Sequence, residues 1–258
     1  MSATGLILTY HAVEVGPAPL CLAPSLFERH LDTLAAAGAR TLTVSELATG
    51  LRRGELPERA VALTFDDGCA SVAHNAAPLL AARGMCATVY CVAGHLGKAN
   101  DWPTQPAKTP RLQLASASDL SELAAAGFEI GSHGTAHAPL RATCEDVIHT
   151  EVVESRWRLE DALGTEVATF AYPYGLSPDP AARAVTAQTY SAACAGGLAR
   201  VRTTGDPMAL SRIDVHYLRR PSLLGSALEG RLDAYLGVRR LGARARRLVR
   251  SDHAAPPG

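Results

Sequence analysis

The sequence has no excess of charge, few aromatic residues and no long apolar run. Its 258 residues include 25 basic and 25 acidic side chains, and only 5% are aromatic. A neutral chain lacks the basic surface that attracts nucleic acid, so we predict no nucleic-acid partner. No window is apolar over the length of a transmembrane helix. Residues 1–10 also lack the basic and apolar segments of a signal peptide, so we expect a cytoplasmic protein.

Cysteine is scarce and scattered. No two of the six cysteines have the two-residue separation that is typical of zinc-binding or redox pairs. We therefore interpret them as reduced thiols of a cytosolic protein, most of them small core residues. The six are Cys21, Cys69, Cys86, Cys91, Cys144 and Cys194.

Apolar residues make up 47% of the chain, in short unbroken runs that alternate with helix-like stretches. Runs such as 5–10, 60–67 and 128–133 predict strands buried on both faces, and 24–38 begins with proline and ends with glycine, as helices do. No glycine-rich phosphate loop is present. The pattern predicts an α/β fold over residues 1–220, with a parallel sheet closed into a (β/α) barrel.

The C-terminal region has a different composition. We predict helices outside the barrel for residues 221–250, and a frayed tail for 251–258. Seven arginines and a single acid, Asp233, fall between positions 231 and 250. This helical extension either contacts an anionic membrane peripherally, at the inner face, or packs on the barrel as a solvated helix. Its apolar side would consist of Val238, Leu241, Ala245 and Leu248.

Two adjacent carboxylates stand at the end of one apolar run. Residues 64–68 read TFDDG, so Asp66 and Asp67 follow a predicted buried strand. Neighbouring strand residues point to opposite faces, but a turn at Gly68 can bring both carboxylates to one site. Buried carboxylates are costly unless a cation or another partner pairs them. The alternative is an ordinary Asp-Asp-Gly turn that precedes a helix.

Two histidines four residues apart form a second candidate motif. His133 and His137 lie in the segment GSHGTAH, where Gly134 and the nearby Pro139 indicate a loop rather than a helix. This spacing suits metal ligation when both imidazoles share a face. The alternative is two ordinary loop histidines.

A polar strand near the end of the barrel completes the set. Alternation over residues 210–216 places Arg212, Asp214 and His216 on one face. That face lines the axis of a barrel, or is solvated if the strand lies at an edge. The active site of a (β/α) barrel lies at the carboxyl ends of its strands. There, one carboxylate and two imidazoles would leave a divalent ion open to water, and a second carboxylate could act as base.

Together these segments resemble the polysaccharide deacetylase family (NodB homology, carbohydrate esterase family 4). The TFDDG run, the paired histidines and the YPYG turn at 172–175 have the order and separations of that family's first three motifs. The resemblance covers residues 5–216. It implies a distorted (β/α)7 barrel of the NodB type. It also implies a divalent metal, usually Zn²⁺ with Co²⁺ or Ni²⁺ as alternatives, and removal of an N-acetyl group from an N-acetylated sugar or glycan precursor.

The resemblance also implies a role for individual residues. Asp66 would be the general base, and His216 the general acid that protonates the leaving amine. The backbone N–H of Tyr174 would help to form the oxyanion hole. The implied metal ligands are Asp67, His133 and His137.

Some positions depart from the family pattern. The third motif often begins with an arginine that braces the catalytic aspartate, but here the position holds Ala171. Arg212 is our candidate replacement, because alternation puts it on the same strand face as His216. The fourth motif usually includes a tryptophan after the third, but Trp102 and Trp157 both precede it.

Further residues have open interpretations. Gly134 stands where the family commonly has serine or threonine. His11, after the first strand, either faces the site or is a structural histidine. Trp102 falls in a predicted loop over 94–110, where we expect it to be exposed and able to stack on a sugar.

Two other functions fit the same residues. One is an amide or imide hydrolase of the same superfamily that acts on a non-sugar substrate, such as a cyclic imide. The other is a non-catalytic sugar-binding module on the same barrel, although the intact set of two aspartates and two histidines argues against it.

Overall fold

The computed structural model describes residues 4–238, and seven of its strands close into a parallel barrel. In chain order, strands β1 to β9 are Thr4–Tyr10, Arg40–Leu42, Ala60–Phe65, Thr88–Cys91, Glu129–Ser132, Thr169–Ala171, Ala192–Gly196, Val201–Arg202 and Leu210–Asp214. The barrel order is β1-β3-β4-β5-β6-β7-β9, and β9 returns to β1. Strand β2 pairs in parallel with β3, and β8 pairs antiparallel with β1. The predicted distorted (β/α)7 barrel is thus confirmed.

Helices surround the barrel and follow most of its strands. In chain order, helices α1 to α8 are Pro24–Ala36, Val44–Arg53, Ala77–Ala81, Ala117–Ala125, Glu145–Ile148, Ser155–Leu163, Pro180–Thr189 and Pro221–Leu228. Two π-helical segments, Val72–Ala76 and His149–Glu154, lead into α3 and α6. Short 3-10 turns occupy Ala93–His95, Pro173–Gly175 and Val215–Leu218.

Helix α2 closes the amino end of the barrel. It begins with a capping box, in which the Thr43 side chain accepts from the N–H of Glu46 and the Glu46 side chain accepts from the N–H of Thr43. Its Leu47 and Leu51 belong to the same buried cluster as Ile7 of β1. Each such buried aliphatic side chain contributes roughly 1.5–3 kcal/mol. This helix therefore seals one end of the barrel with apolar contacts.

The sequence pattern missed some elements and merged others. Strands β2 and β8 have only three and two residues, too few for a period to be recognised. The long helix predicted for 144–164 is a continuous helical stretch whose middle, His149–Glu154, winds as a π-helix. The α8 helix falls within the predicted C-terminal extension and packs against α1.

The arginine-rich part of that extension is largely outside the described residues. Positions 239–250 and the tail at 251–258 are beyond the described range, so the membrane contact and the frayed tail stay predictions. Within residues 4–238, no helix combines the length and the apolarity that are needed to span a bilayer.

Candidate active site

A cleft of about 740 Å³ opens where the barrel strands end at their carboxyl side. Six predicted site residues line it, and His216 is not among the lining residues. The six are Asp66, Asp67, His133, His137, Tyr174 and Arg212. They follow different strands that are far apart in sequence. They meet here because the carboxyl ends of all seven parallel strands lie at the same rim of the barrel.

The two aspartates reach the cleft through a left-handed turn. Strand β3 ends at Phe65, and the N–H of Asp66 still donates to Tyr10 of β1 at 2.9 Å. Asp67 has φ 69° and Gly68 has φ 72°. A left-handed residue breaks the strand alternation that would send Asp67 to the opposite side. Both carboxylates are therefore buried at one site, with 4% and 5% exposure.

Arg212 holds Asp66 in a buried two-pronged ion pair. Its Nη1 and Nη2 donate to Oδ1 and Oδ2 of Asp66 at 2.6 and 2.8 Å. Burial acts to raise the pKa of Asp66, but the charge and hydrogen bonds of Arg212 together with the charges of His133 and His11 outweigh it, and the pKa lies below its usual range. Asp66 is therefore ionised at neutral pH. Arg212 therefore braces the aspartate that the arginine of the family's third motif would brace. The position of that arginine is Ala171 in this chain.

Asp67, His133 and His137 converge on one point. One ligand atom from each lies within 4.8 Å of the other two. Oδ1 of Asp67 is 3.7 Å from Nε2 of His133 and 3.5 Å from Nε2 of His137, and the two Nε2 atoms are 3.2 Å apart. This is a spacing at which a single cation can contact all three groups.

The hydrogen bonds and charges of the trio fit a divalent ion. Nδ1 of His133 is 2.7 Å from the carbonyl oxygen of Ala171, so it donates its proton there and leaves Nε2 as a lone pair facing Asp67. Burial and the neighbouring His133 hold the pKa of His137 well below its ordinary value, so that ring is neutral, as a metal ligand must be. Burial raises the pKa of Asp67, a penalty that a bound cation would offset.

The ring of His137 is fixed between two aromatic side chains. Trp102 packs on it with ring centroids 4.4 Å apart, and Tyr174 contacts it edge-on at 4.5 Å. The expectation that Trp102 is exposed is wrong, since only 2% of its surface is accessible. The loop over 94–110 folds back onto the histidines, and Trp102 becomes part of the wall. A tryptophan in a long polar loop was the available signal for such a contact.

Tyr174 lies beside the metal-ligand candidates in a strained conformation. It is a non-glycine residue with φ 59°, as is His137 with φ 56°. Such conformations each cost on the order of 1–3 kcal/mol and gather at functional sites. The Tyr174 hydroxyl lies 2.8 Å from Oγ1 of Thr104, which anchors the side chain.

The structure does not bring His216 to the cleft. Strand β9 ends at Asp214, and the 3-10 turn that follows breaks the alternation on which the prediction relied. His216 is exposed, and its backbone N–H donates to Oδ1 of Asp214 at 2.7 Å. Asp214 lines the cleft, but its carboxylate caps this turn.

His11 lines the cleft, whereas His216 does not. His11 follows β1 directly and interacts electrostatically with both aspartates. The sequence signal was its place immediately after a buried strand, where a barrel presents its functional residues. Of the two readings of His11, the structure favours the one in which it faces the site.

A comparison with known proteins identifies the family. The polysaccharide deacetylase family model matches residues 53–193, more than half of the chain. The Bacillus subtilis (strain 168) protein YxkH, a polysaccharide deacetylase by name, is 26% identical over 227 residues, which are 86% of this chain and 73% of YxkH. A Staphylococcus aureus (strain MSSA476) poly-β-1,6-N-acetyl-D-glucosamine N-deacetylase is 28% identical over 164 residues. That match covers 60% of this chain and about half, 54%, of the relative.

Solved structures share the same barrel. Streptococcus pyogenes deacetylase PplD, solved in complex with acetate, superposes with a TM-score of 0.75 at 24% identity, over 87% of this chain and 97% of PplD. IcaB from Ammonifex degensii gives a TM-score of 0.73 at 25% identity, over 86% and 97% of the two chains. Because the family model matches more than half of this chain, the chain belongs to the polysaccharide deacetylase family.

Proposed function

We propose that this protein hydrolyses the N-acetyl group of an N-acetylated sugar, within a glycan or a glycan precursor. One observation carries the proposal: the ligand atoms of Asp67, His133 and His137 lie within 4.8 Å of one another, beside an ionised Asp66. Membership of the polysaccharide deacetylase family supports the same reaction.

Polymers of N-acetylglucosamine are the first substrate class to consider. The Staphylococcus aureus relative is named for its action on poly-β-1,6-N-acetyl-D-glucosamine. The cleft, at about 740 Å³, lies within the range of about 300–1,000 Å³ that is usual for sites of drug-sized ligands, so it has room for more than the reacting acetamido group. Polar side chains that can hydrogen-bond sugar hydroxyls, such as Gln105, Lys108 and Ser177, line its walls.

The proposed reaction breaks the amide C–N bond and forms acetate and a free amine. A divalent ion held by Asp67, His133 and His137 would supply polarisation of the amide carbonyl and lower the pKa of water toward ~7. Asp66 takes a proton from the water that attacks the carbonyl carbon. Arg212 keeps that carboxylate ionised and fixed in orientation through its two hydrogen bonds.

Two further groups complete the proposed mechanism. The backbone N–H of Tyr174 stabilises the negative charge that develops on the amide oxygen. His11, protonated, donates its proton to the departing nitrogen, in the role that the family resemblance implies for His216. Its place in the cleft wall, together with the position of His216 outside the wall, supports this revision.

An assay on N-acetylated oligosaccharides tests the proposal. The full chain is incubated with β-1,6-linked N-acetylglucosamine oligomers, and acetate and free amine are quantified with and without a chelator. We expect equal amounts of both products, loss of turnover with the chelator, and recovery with Zn²⁺, Co²⁺ or Ni²⁺. Opening of a cyclic imide without acetate release would favour the non-sugar hydrolase. Sugar binding without any turnover by the metal-loaded protein would favour the binding module.

A further inference from the structure

A buried glutamate lies directly behind the two histidines. Glu151 belongs to the π-helical segment His149–Glu154 and is 2% exposed. Its Oε1 accepts from the N–H of Ala136 at 2.9 Å. Its Oε2 accepts from the N–H groups of Thr135 and Ala138 at 3.2 and 3.1 Å. One carboxylate thus collects three backbone donors from the loop that carries His133 and His137.

The loop is shaped to receive this carboxylate. Gly134 has φ +87°, and a Cβ at that position would collide with Oε2 of Glu151. Serine or threonine, which the family commonly has at this position, would be strained by the backbone conformation and would displace the Glu151 carboxylate. Thr135 adds a bond from its Oγ1 to the carbonyl oxygen of Thr150 at 2.7 Å.

The opposite side of the loop is fixed by its carbonyl oxygens. The N–H groups of Ala93 and Gly94 donate to Gly134 and Thr135 at 2.8 and 2.9 Å. Oγ1 of Thr104 donates to the carbonyl of His137 at 3.1 Å. These partners are neutral, whereas the carboxylate of Glu151 is an ionisable acceptor, and hydrogen bonds to it are about twice as strong when it is charged.

We propose that Glu151 is a positioning residue, whose carboxylate holds the loop over 133–138 in the conformation that turns His137 toward His133 and Asp67. This inference rests on the proposed function. His137 is left-handed at φ 56°, a conformation that persists only where its surroundings impose it. The residues on either side of it, Ala136 and Ala138, both donate their backbone N–H to the Glu151 carboxylate.

The other end of the barrel provides a matched control. Glu129 begins β5, and its Oε2 accepts from the N–H groups of Val44 and Ser45 at 2.9 and 3.3 Å. The same carboxylate also accepts from the Thr88 hydroxyl at 2.7 Å. Glu129 is thus a carboxylate that binds backbone amides like Glu151, but it lies at the amino end of the barrel, away from the candidate metal ligands.

The experiment compares Zn²⁺ affinity with stability in Glu151→Gln, Glu151→Asp and Glu129→Gln. Each metal-free protein is titrated with Zn²⁺ in competition with a chromophoric chelator, and its Tm is measured. We expect Glu151→Gln to weaken Zn²⁺ binding by about 10- to 100-fold, as loss of groups that orient metal ligands does. Glu151→Asp should recover part of that affinity, because it keeps the charge. Glu129→Gln should lower Tm and leave the Zn²⁺ affinity unchanged.

The opposite results would overturn the inference. They are wild-type Zn²⁺ affinity in a folded Glu151→Gln, or failure of both Glu151 variants to fold while Glu129→Gln folds, since the carboxylate would then serve general stability. A wild-type protein that binds Zn²⁺ but releases no acetate would refute the proposed reaction alone, and the role of Glu151 would still be judged from the affinities. A wild-type protein that binds none of Zn²⁺, Co²⁺ and Ni²⁺ would refute both.

Discussion

The two ends of the barrel hold their polar groups in different ways. At the amino end, Glu129 hydrogen-bonds backbone amides and the hydroxyls of Thr88 and Thr169, and α2 covers the opening with apolar side chains. At the carboxyl end, Nδ1 of His137 is buried with no hydrogen-bond partner in the described part of the chain, and two ring nitrogens face each other at 3.2 Å.

Left-handed non-glycine residues are concentrated at the carboxyl end, while Arg59, directly before β3, is one at the amino end. Asp67, His137 and Tyr174 are all left-handed non-glycine residues, and all three line the cleft. The carboxyl end therefore keeps conformations and buried charges that stability alone would disfavour, and the rest of the barrel compensates for them. In this barrel the amino end contributes stability through apolar packing, and the carboxyl end contains the destabilising conformations and buried charges that the site requires.

The largest effect should come from removing an aspartate at the carboxyl end. We expect Asp67→Ala to lose both bound Zn²⁺ and turnover, because a ligand is gone. Asp66→Asn should keep Zn²⁺ but lower kcat by about 10²- to 10⁴-fold, the usual contribution of a general base. Metal content and acetate release measured on the same samples check this. Full activity in Asp66→Asn would contradict the base assignment.

The next effect concerns the stability of the buried ion pair. Arg212→Met leaves Asp66 buried without a partner, and we expect it to cost about 3–5 kcal/mol of unfolding free energy. Arg183→Met is the control, because Arg183 also pairs with Asp206 through two nitrogens but at an exposed position, where about 0–1 kcal/mol is usual. Denaturant unfolding of both variants measures the difference, and equal losses would contradict the argument.

A smaller effect should distinguish the two candidate general acids, His11 and His216. His11→Ala should lower kcat on the order of 10²-fold, since the leaving amine loses its proton donor. His216→Ala should have little effect, because His216 is exposed and does not line the cleft. Steady-state kinetics on the same oligosaccharide compares them. A larger loss in His216→Ala would restore the assignment of the general acid to His216 that the family resemblance implies.

The smallest effect should come from the amino end. Glu129→Gln replaces an oxygen acceptor by a donor and leaves at least one buried N–H or hydroxyl without its partner. We expect a loss of about 1–3 kcal/mol in unfolding free energy, with kcat and KM unchanged at a temperature where the variant is folded. A fall in kcat without loss of stability would break the division between the two ends.

The fold could be predicted to a large extent from local pattern. Strands buried on both faces require continuous apolar residues, so runs such as 60–67 and 128–133 marked β3 and β5. Helix α2 was missed although Thr43 and Glu46 form a capping box that the sequence spells out. Short strands such as β8 have no period to detect, because their pairing partner alone creates them.

By itself, the sequence determined the chemistry of the site: two adjacent aspartates and two histidines four residues apart, each set contained in one short segment. Only the tertiary structure decided their surroundings. Arg212 meets Asp66 across 146 positions, Trp102 folds onto His137, and His11 rather than His216 lines the cleft. The physical reason is that a motif depends on spacing within one segment. The groups that brace it come from other segments, whose approach is fixed by the closure of the barrel and by the residue at which each strand ends.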